Sequence, residues 1–160
     1  DVYKRQRWSH IASTMNHLDN RNALSENMIN NLLEAISKAS INEDIKVIII
    51  SSNGPVFSAG HDLKEMNLAR KSEDSGRAYF KFLFDNCSSL MQLIVNCPKP
   101  IIAEISGVAT AAGCQLVASC DLAICSESSK FATPGVNLGL FCSTPMVALS
   151  RNINKKNAIH

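Results

Sequence analysis

Two glycine-containing loops hold the residues best suited to chemistry. The first, Asn53-Gly54-Pro55-Val56-Phe57-Ser58-Ala59-Gly60-His61-Asp62-Leu63, leaves a run of branched aliphatics, turns through Gly54 and Pro55, and enters a helical turn that Asp62 can cap. The second, Gly107-Val108-Ala109-Thr110-Ala111-Ala112-Gly113-Cys114-Gln115, leaves another apolar run and opens another helix. Both put backbone N–H groups beyond a strand end. In a helix's first turn those groups have no intrahelical acceptor and carry the positive end of the dipole, so they can receive an anion. A pair aimed at one point forms an oxyanion hole, which stabilises charge developing on a carbonyl oxygen. The small residues Ala59, Gly60, Ala111, Ala112 and Gly113 would let a ligand approach the backbone. The same residues equally serve tight turns and close helix–strand packing with no ligand at all, and composition leaves both readings open.

Other chemistries fit less well. A nucleotide-binding P-loop requires GxxxxGK[ST], whereas Gly107 and Gly113 are one residue too far apart and are followed by Cys114-Gln115, without a lysine for phosphates. No GxGxxG occurs. Ser58, His61 and Asp62 are bunched on one loop, where a hydrolase triad could not easily assemble. His10, His17, His61 and His160 lack metal-ligand spacing, so no metal site is expected.

The elements that position these loops follow from periodicity. Trp8 to Met15 alternates only loosely and reads as a poor edge strand. Asn22 to Ser25 supplies N-cap chemistry, and Met28, Ile29, Leu32, Leu33, Ile36 and Ala39 then recur at helical spacing. Val47-Ile48-Ile49-Ile50 are stiff at χ1 and lack polar alternation, which predicts a strand buried on both faces. A second helix carries Tyr79, Phe80, Leu83, Phe84, Cys87, Leu90, Met91 and Ile94 on one side and stops before Pro98. Ile101 to Ile105 is the next strand, Ala112 to Cys120 the next helix, and Leu122 to Cys125 resumes extended structure. Alternating strands and helices indicate one α/β domain, with no linker or low-complexity stretch dividing it.

The chain has 160 residues, 46% hydrophobic and 19% charged, the size and balance of one globular domain. The net charge of +2 comes from scattered basic residues, leaving no electrostatic footprint for nucleic acid. No apolar run approaches the roughly 20 residues of a membrane span. Cys87, Cys97, Cys114, Cys120, Cys125 and Cys142 form no CxxC pair and are expected to be reduced thiols. The opening Tyr3-Lys4-Arg5-Gln6-Arg7 is too short to identify a transit peptide. Without an initiator Met or a helix stop signal at its end, the chain reads as a fragment.

Four strings carry a resemblance: Arg21-Asn22-Ala23-Leu24-Ser25, Gly54 through Glu65, Gly107 through Ala123, and Phe131-Ala132-Thr133-Pro134-Gly135. In this order and at these intervals they resemble the signatures of the crotonase (enoyl-CoA hydratase/isomerase) superfamily, from about Arg21 to Arg151. The resemblance implies a spiral of strand-strand-helix repeats, C-terminally truncated, with residues 1–20 a divergent segment and residues 21–160 a partial acyl-CoA-binding domain. A CoA thioester would bend between the two loops as substrate or ligand, with no other cofactor. The thioester oxygen would meet the N–H groups of His61 and Ala112. Ala59, Leu63 and Lys64 would lie by the CoA adenine and phosphates, and Ala23 and Leu24 by the pantetheine. Asp62 would hold the loop rather than react. The resemblance further implies mitochondrial fatty acid and lipid metabolism, and a homotrimer or dimer of trimers for the full-length form.

The departures narrow the expected activity. Where hydratases of this family carry two glutamates, this chain has Gln115 and Gly135. Hydration needs one group to activate water and one to deliver a proton, and neither an amide nor a glycine titrates usefully. The chain is therefore expected to polarise a thioester but not to be an efficient hydratase. Glu104 and the His61 imidazole are the substitutes to test. The alternatives are a non-catalytic regulatory or scaffold protein, or a different reaction such as isomerisation, decarboxylation or thioester hydrolysis. The turn His17-Leu18-Asp19-Asn20 lacks the proline of the family's first hairpin.

Overall fold

The computed structural model describes residues 2–7 and 10–154. β1 (Val2–Arg7) runs antiparallel to β2 (His10–Met15), and β2 pairs in parallel with β3 (Val47–Ser52). Trp8 and Ser9 lie outside the described residues, and His10–Met15 of the expected edge strand is an interior strand, bonded to β1 on one side and β3 on the other. Its alternation is regular: Ile11, Ser13 and Met15 are buried while His10, Ala12 and Thr14 are half-buried. A serine at an inward position disguised that period.

Between β2 and β3 lies α1 (Glu26–Ile41), started by Ser25, whose Oγ accepts from Met28 N at 3.2 Å. Such a cap contributes about 1 kcal/mol. The stripe Met28, Ile29, Leu32, Ala35, Ile36 and Ala39 is buried, and at the far end Lys99 Nζ donates to the carbonyls of Ala39 and Asn42. In β3, Ile48 and Ile50 point into the core, while Val47 and Ile49 are only half-covered on the opposite face. β4 (Val56–Ser58) and α2 (Leu63–Ala69) follow, then α3 (Arg77–Val95), which ends just before Pro98 and packs on α1. Leu83, Cys87, Leu90, Met91 and Ile94 of α3 are buried, but Phe84, read as part of that face, is 49% exposed.

β5 (Ile101–Ile105), β6 (Val108–Thr110) and α4 (Ala112–Ser119) repeat the pattern, as do β7 (Leu122–Cys125), β8 (Lys130–Ala132) and α5 (Ser143–Asn152). The long strands form one sheet in the order β1-β2-β3-β5-β7, and the short ones a second, all-parallel sheet in the order β4-β6-β8. From β3 onward each turn of the chain contributes one strand to each sheet and then a helix, while β1 and β2 both join the long sheet; this is the spiral of strand-strand-helix units that the resemblance implied. Gly107 makes the step from β5 to β6: its φ is +84°, and a Cβ there would lie 1.9 Å from the Pro55 carbonyl oxygen. Only glycine fits so close a crossing of two backbones.

No described helix is long and apolar enough to cross a membrane. All six cysteines are unpaired; burial pushes the Cys87 thiol up to about 11 and Cys120 to about 12, so both pack as apolar groups. Cys125, by contrast, is exposed.

Candidate functional site

The two loops meet. Gly60 has φ +86°, and a Cβ there would come within 3.0 Å of Ala111 Cβ, 3.2 Å of the Thr110 carbonyl oxygen and 3.3 Å of Ala112 N. The residue following Gly60 is His61, so the backbone nitrogens of His61 and Ala112 belong to facing segments. Neither N–H donates in the backbone bonds of the turns, loops and caps. Thr110 Oγ1 ties the loops directly, donating to the Ala59 carbonyl at 3.1 Å. Both loops emerge from the carboxyl ends of parallel strands, where α/β proteins place their ligands. A surface hollow of about 450 Å³ opens at the opposite end of the sheet between Ile41, Lys46, Lys99 and Pro100, away from these loops.

Several contacts fix the first loop. Asp62 is buried and accepts from Lys64 N at 2.8 Å, Glu65 N at 3.3 Å and Asn20 Nδ2 at 3.0 Å. It is the cap of α2. Lys64 Nζ reaches Asn20 Oδ1 at 2.8 Å, and Leu63 is 68% exposed. The Arg21–Ser25 strap runs alongside, with Leu24 N donating to the Gly60 carbonyl at 2.7 Å and Ala59 N to the Arg21 carbonyl at 3.2 Å. Ala23 and Leu24 are buried within it, and Leu24 bridges in parallel to His61. Asn22, not singled out from sequence, holds the strap: at φ +50° its Oδ1 accepts from His17 N while its Nδ2 donates to the Asn53 and Val56 carbonyls. The available signal was an asparagine, tolerant of left-handed backbone, just ahead of a helix.

The second loop is strained where it turns. Ala111 adopts φ +50°, ψ −122°, a region costly to any residue with a Cβ, and its N–H donates to the Ala132 carbonyl at 2.9 Å. That turn starts α4, whose first residue is Ala112. Gly113 allows the close approach of helix to strand, since a Cβ there would meet Ser58 O at 2.5 Å and Ser58 Cβ at 2.7 Å. Gln115 is half-buried one turn along, its N–H bonded to the Ala111 carbonyl at 3.1 Å. Gly135 lies in a 3-10 turn (Pro134–Leu138) three residues after the Ala132 that anchors Ala111. The space beside it is closed: a Cβ would meet Cys142 Sγ at 2.6 Å and the Leu140 carbonyl oxygen at 2.9 Å. Glu104 is exposed on the face of the long sheet opposite Ala103 and Ile105, which point into the core.

His61 brings a titratable ring to the first loop. Its ring lies edge-on to Phe84 with centroids 5.5 Å apart, and Phe84 stacks in turn on Phe80 at 6.2 Å. Burial lowers the imidazole's affinity for a proton, only partly offset by the neighbouring Leu24 carbonyl. No hydrogen bond of ordinary geometry results: Nδ1 is buried without a partner. Nearby in sequence, Glu65 Oε2 receives both Tyr79 Oη–H and Glu26 N at 3.0 Å, joining α2 to α3 and α1. Among the described residues no cluster of His, Cys, Asp or Glu could hold a metal ion.

This arrangement recurs in known proteins. The chain is 57% identical over 139 residues to the rat enoyl-CoA hydratase domain-containing protein 3, mitochondrial, covering 87% of this chain and 45% of that protein. The human crystal structure of the same relative superposes with a TM-score of 0.89 at 49% identity, over 99% of this chain and 60% of that one. A Mycobacterium smegmatis enoyl-CoA hydratase gives 0.88 at 43% identity, again over 99% and 60%. The chain spans about half the length of the relatives it matches in sequence. The enoyl-CoA hydratase/isomerase family profile matches residues 9–160, so that two touching glycine loops, one spiral of strand-strand-helix units and the sequence itself agree: the chain belongs to the enoyl-CoA hydratase/isomerase (crotonase) family.

Proposed function

We propose that this chain binds an acyl-CoA thioester with its carbonyl oxygen between the backbone N–H groups of His61 and Ala112. The observation that carries the reading is the contact of Gly60 with Ala111 and Ala112, which sets two uncommitted N–H groups on facing loops. Fixed donors aimed at a developing oxyanion are typically worth about 3–4 kcal/mol each in an enclosed site. Ala59, Leu63 and Lys64 would flank the adenine and phosphates, and Ala23 and Leu24 the pantetheine arm. Lys64 is the cation of this group, and a phosphate would have to compete with Asn20 for it.

Gln115 and Gly135 argue against efficient hydration, since neither residue offers a general acid or base that titrates near neutral pH. The protein then acts on, or holds, an acyl-CoA in mitochondrial lipid metabolism, a compartment suggested by the names of its relatives. The second reading, a regulatory or scaffold protein that keeps the fold without the ligand, draws on the same loss of carboxylates. Thermal-shift measurements with CoA, acetyl-CoA and crotonyl-CoA separate them, because a ligand bound only by the folded state stabilises it by mass action. A rise of melting temperature that grows with acyl-CoA concentration is expected. No rise at millimolar ligand would leave the scaffold.

A further inference from the structure

We propose that Asn20 is a positioning residue for the phosphate end of the site, holding the Lys64 ammonium apart from the Asp62 carboxylate so that its charge stays available to a ligand. The proposal rests on the reading of Lys64 as a neighbour of the CoA phosphates and names the residue that keeps this cation in place.

The arrangement is a relay of three side chains from two segments. Asn20 Nδ2 donates to Asp62 Oδ2 at 3.0 Å, and Asn20 Oδ1 accepts from Lys64 Nζ at 2.8 Å. These partners fix which way the amide points. A carboxylate only accepts and an ammonium only donates, so exchanging Oδ1 and Nδ2 would lose both bonds. The backbone of Asn20 is held as well: its N–H donates to the His17 carbonyl at 3.2 Å, and its carbonyl accepts from Ala23 N at 3.0 Å. Both bonds secure the 3-10 turn (Leu18–Asn20) that leads into the Arg21–Ser25 strap. The amide is a half-buried fixture rather than a loose surface group.

One amide thus separates two opposite charges. Asp62 Oδ1 is taken by Lys64 N and Glu65 N, which leaves Oδ2 as the open end of a buried carboxylate, and Asn20 covers it. Lys64 follows by two residues at the start of α2, exposed, with a flexible four-carbon stem. Its ammonium would be drawn to Oδ2 if the amide were removed. Among the described residues the ion pairs are Lys38–Glu34 and Lys81–Asp85, so Lys64 is paired neither with Asp62 nor with Asp19, the exposed acid beside Asn20. Glu65 is committed to Tyr79 and to Glu26 N.

A neutral partner is what this position requires. The amide oxygen takes one of the three ammonium protons, leaves two, and cancels none of the charge. A phosphate therefore competes with Asn20 for one proton only. A carboxylate in the same place would neutralise the cation, and an apolar residue would release it toward Asp62.

The test compares butyryl-CoA with butyryl-pantetheine, which keeps the thioester and the pantetheine arm but carries no phosphate, by titration calorimetry at low and high salt. K64M should weaken butyryl-CoA by about 3- to 10-fold at low salt, and less at high salt, while butyryl-pantetheine stays within about twofold of the parent. N20D, a carboxylate of the same size, should lose as much. The double variant N20D/K64M should lose no more than K64M alone, because both changes remove one and the same charge. N20L, which frees Lys64 without adding charge, should fall between the parent and N20D. Equal weakening of both ligands in the Asn20 variants shows a role in folding alone and overturns the proposal, and so does parental butyryl-CoA affinity in N20D or K64M; the acyl-CoA reading survives either result. Failure of the parent to bind either thioester overturns that reading and this proposal together. Should both Asn20 variants unfold, nuclear magnetic resonance of the parent decides: the Asn20 side-chain amide signals should shift on adding butyryl-CoA and not on adding butyryl-pantetheine, and signals that ignore butyryl-CoA refute the relay.

Discussion

Replacing Ala111 with glycine should stabilise this protein, although Ala→Gly usually does the opposite. At φ +50°, ψ −122° the methyl group holds Ala111 in a region that costs roughly 1–3 kcal/mol for any residue but glycine. Glycine removes that cost and adds back about 0.5–1 kcal/mol of backbone entropy in the unfolded chain. The balance is a gain of about 1 kcal/mol. For a chain of 160 residues that corresponds to a rise of roughly 2–4 °C in melting temperature, where a glycine in ordinary backbone would lower it by a similar amount. Opposite signs make circular-dichroism melting a clean assay, and A111V, which adds β-branching to the same turn, should melt lower than the parent. The turn also bears on the proposed site, because it starts α4 and sets the Ala112 nitrogen beside Gly60 of the facing loop. A looser A111G turn should therefore melt higher yet bind acyl-CoA more weakly. A melting temperature below the parent's would show that Ala111 is not strained as described, and would remove the argument that the second loop stores energy for its N–H.

Three further outcomes are expected. Because burial lowers the His61 pKa in the folded state, the unfolded chain binds more protons in the acid range, so stability should fall as pH drops from about 6.5 toward the folded pKa; H61F should flatten that window in urea titrations at successive pH values. Restoring glutamates at positions 115 and 135 should raise crotonyl-CoA hydration above either single change only when Cys142 is also made alanine, since Cys142 Sγ would lie 2.6 Å from a new Cβ; hydration by the unaltered protein at an ordinary enzymatic rate would refute the account of both positions. The 160-residue chain should bind a hydrophobic dye and self-associate at micromolar concentration in light scattering, because Leu122, Ile124 and Phe141 are 59%, 63% and 66% exposed; a dye-silent monomer would count against that expectation.

The parts of this fold legible in the sequence are those whose cause is local. α1 and α3 follow from apolar spacing along one segment, and β3 from four consecutive branched aliphatics, whose side-chain stiffness acts residue by residue. The Asp62 cap was readable because its acceptors are satisfied two and three residues along. What remained hidden has its cause elsewhere in the chain. β4, β6 and β8 are three residues each, too short for a period, and exist because Gly107 can lie against Pro55 and because Ala111 N–H is taken up by Ala132. β2 passed for an edge strand because its partners are supplied by β1 and by a strand 37 residues further on in register, Ile11 facing Ile48.

The site divides in the same way. The motif glycines announce loops that approach each other, but not which atoms they expose. Gly135 stands where the family carries a glutamate, and its φ would allow a side chain; what closes the position is the Cys142 thiol and the Leu140 carbonyl. Ala111, an unremarkable letter in the sequence, carries the strained turn. The resemblance implied a place for the His61 N–H in the cradle, whereas the surroundings of its ring depend on Phe84, Leu24 and the prior commitment of Asp62 and Glu65, four partners drawn from three other segments and its own loop. A histidine's chemistry is set by what does not bond to it, and that is a property of the fold. It is also why the pH dependence of stability in H61F reports on the imidazole and the melting of Ala111→Gly on the backbone: the two halves of the proposed site answer to different physical causes and can fail separately.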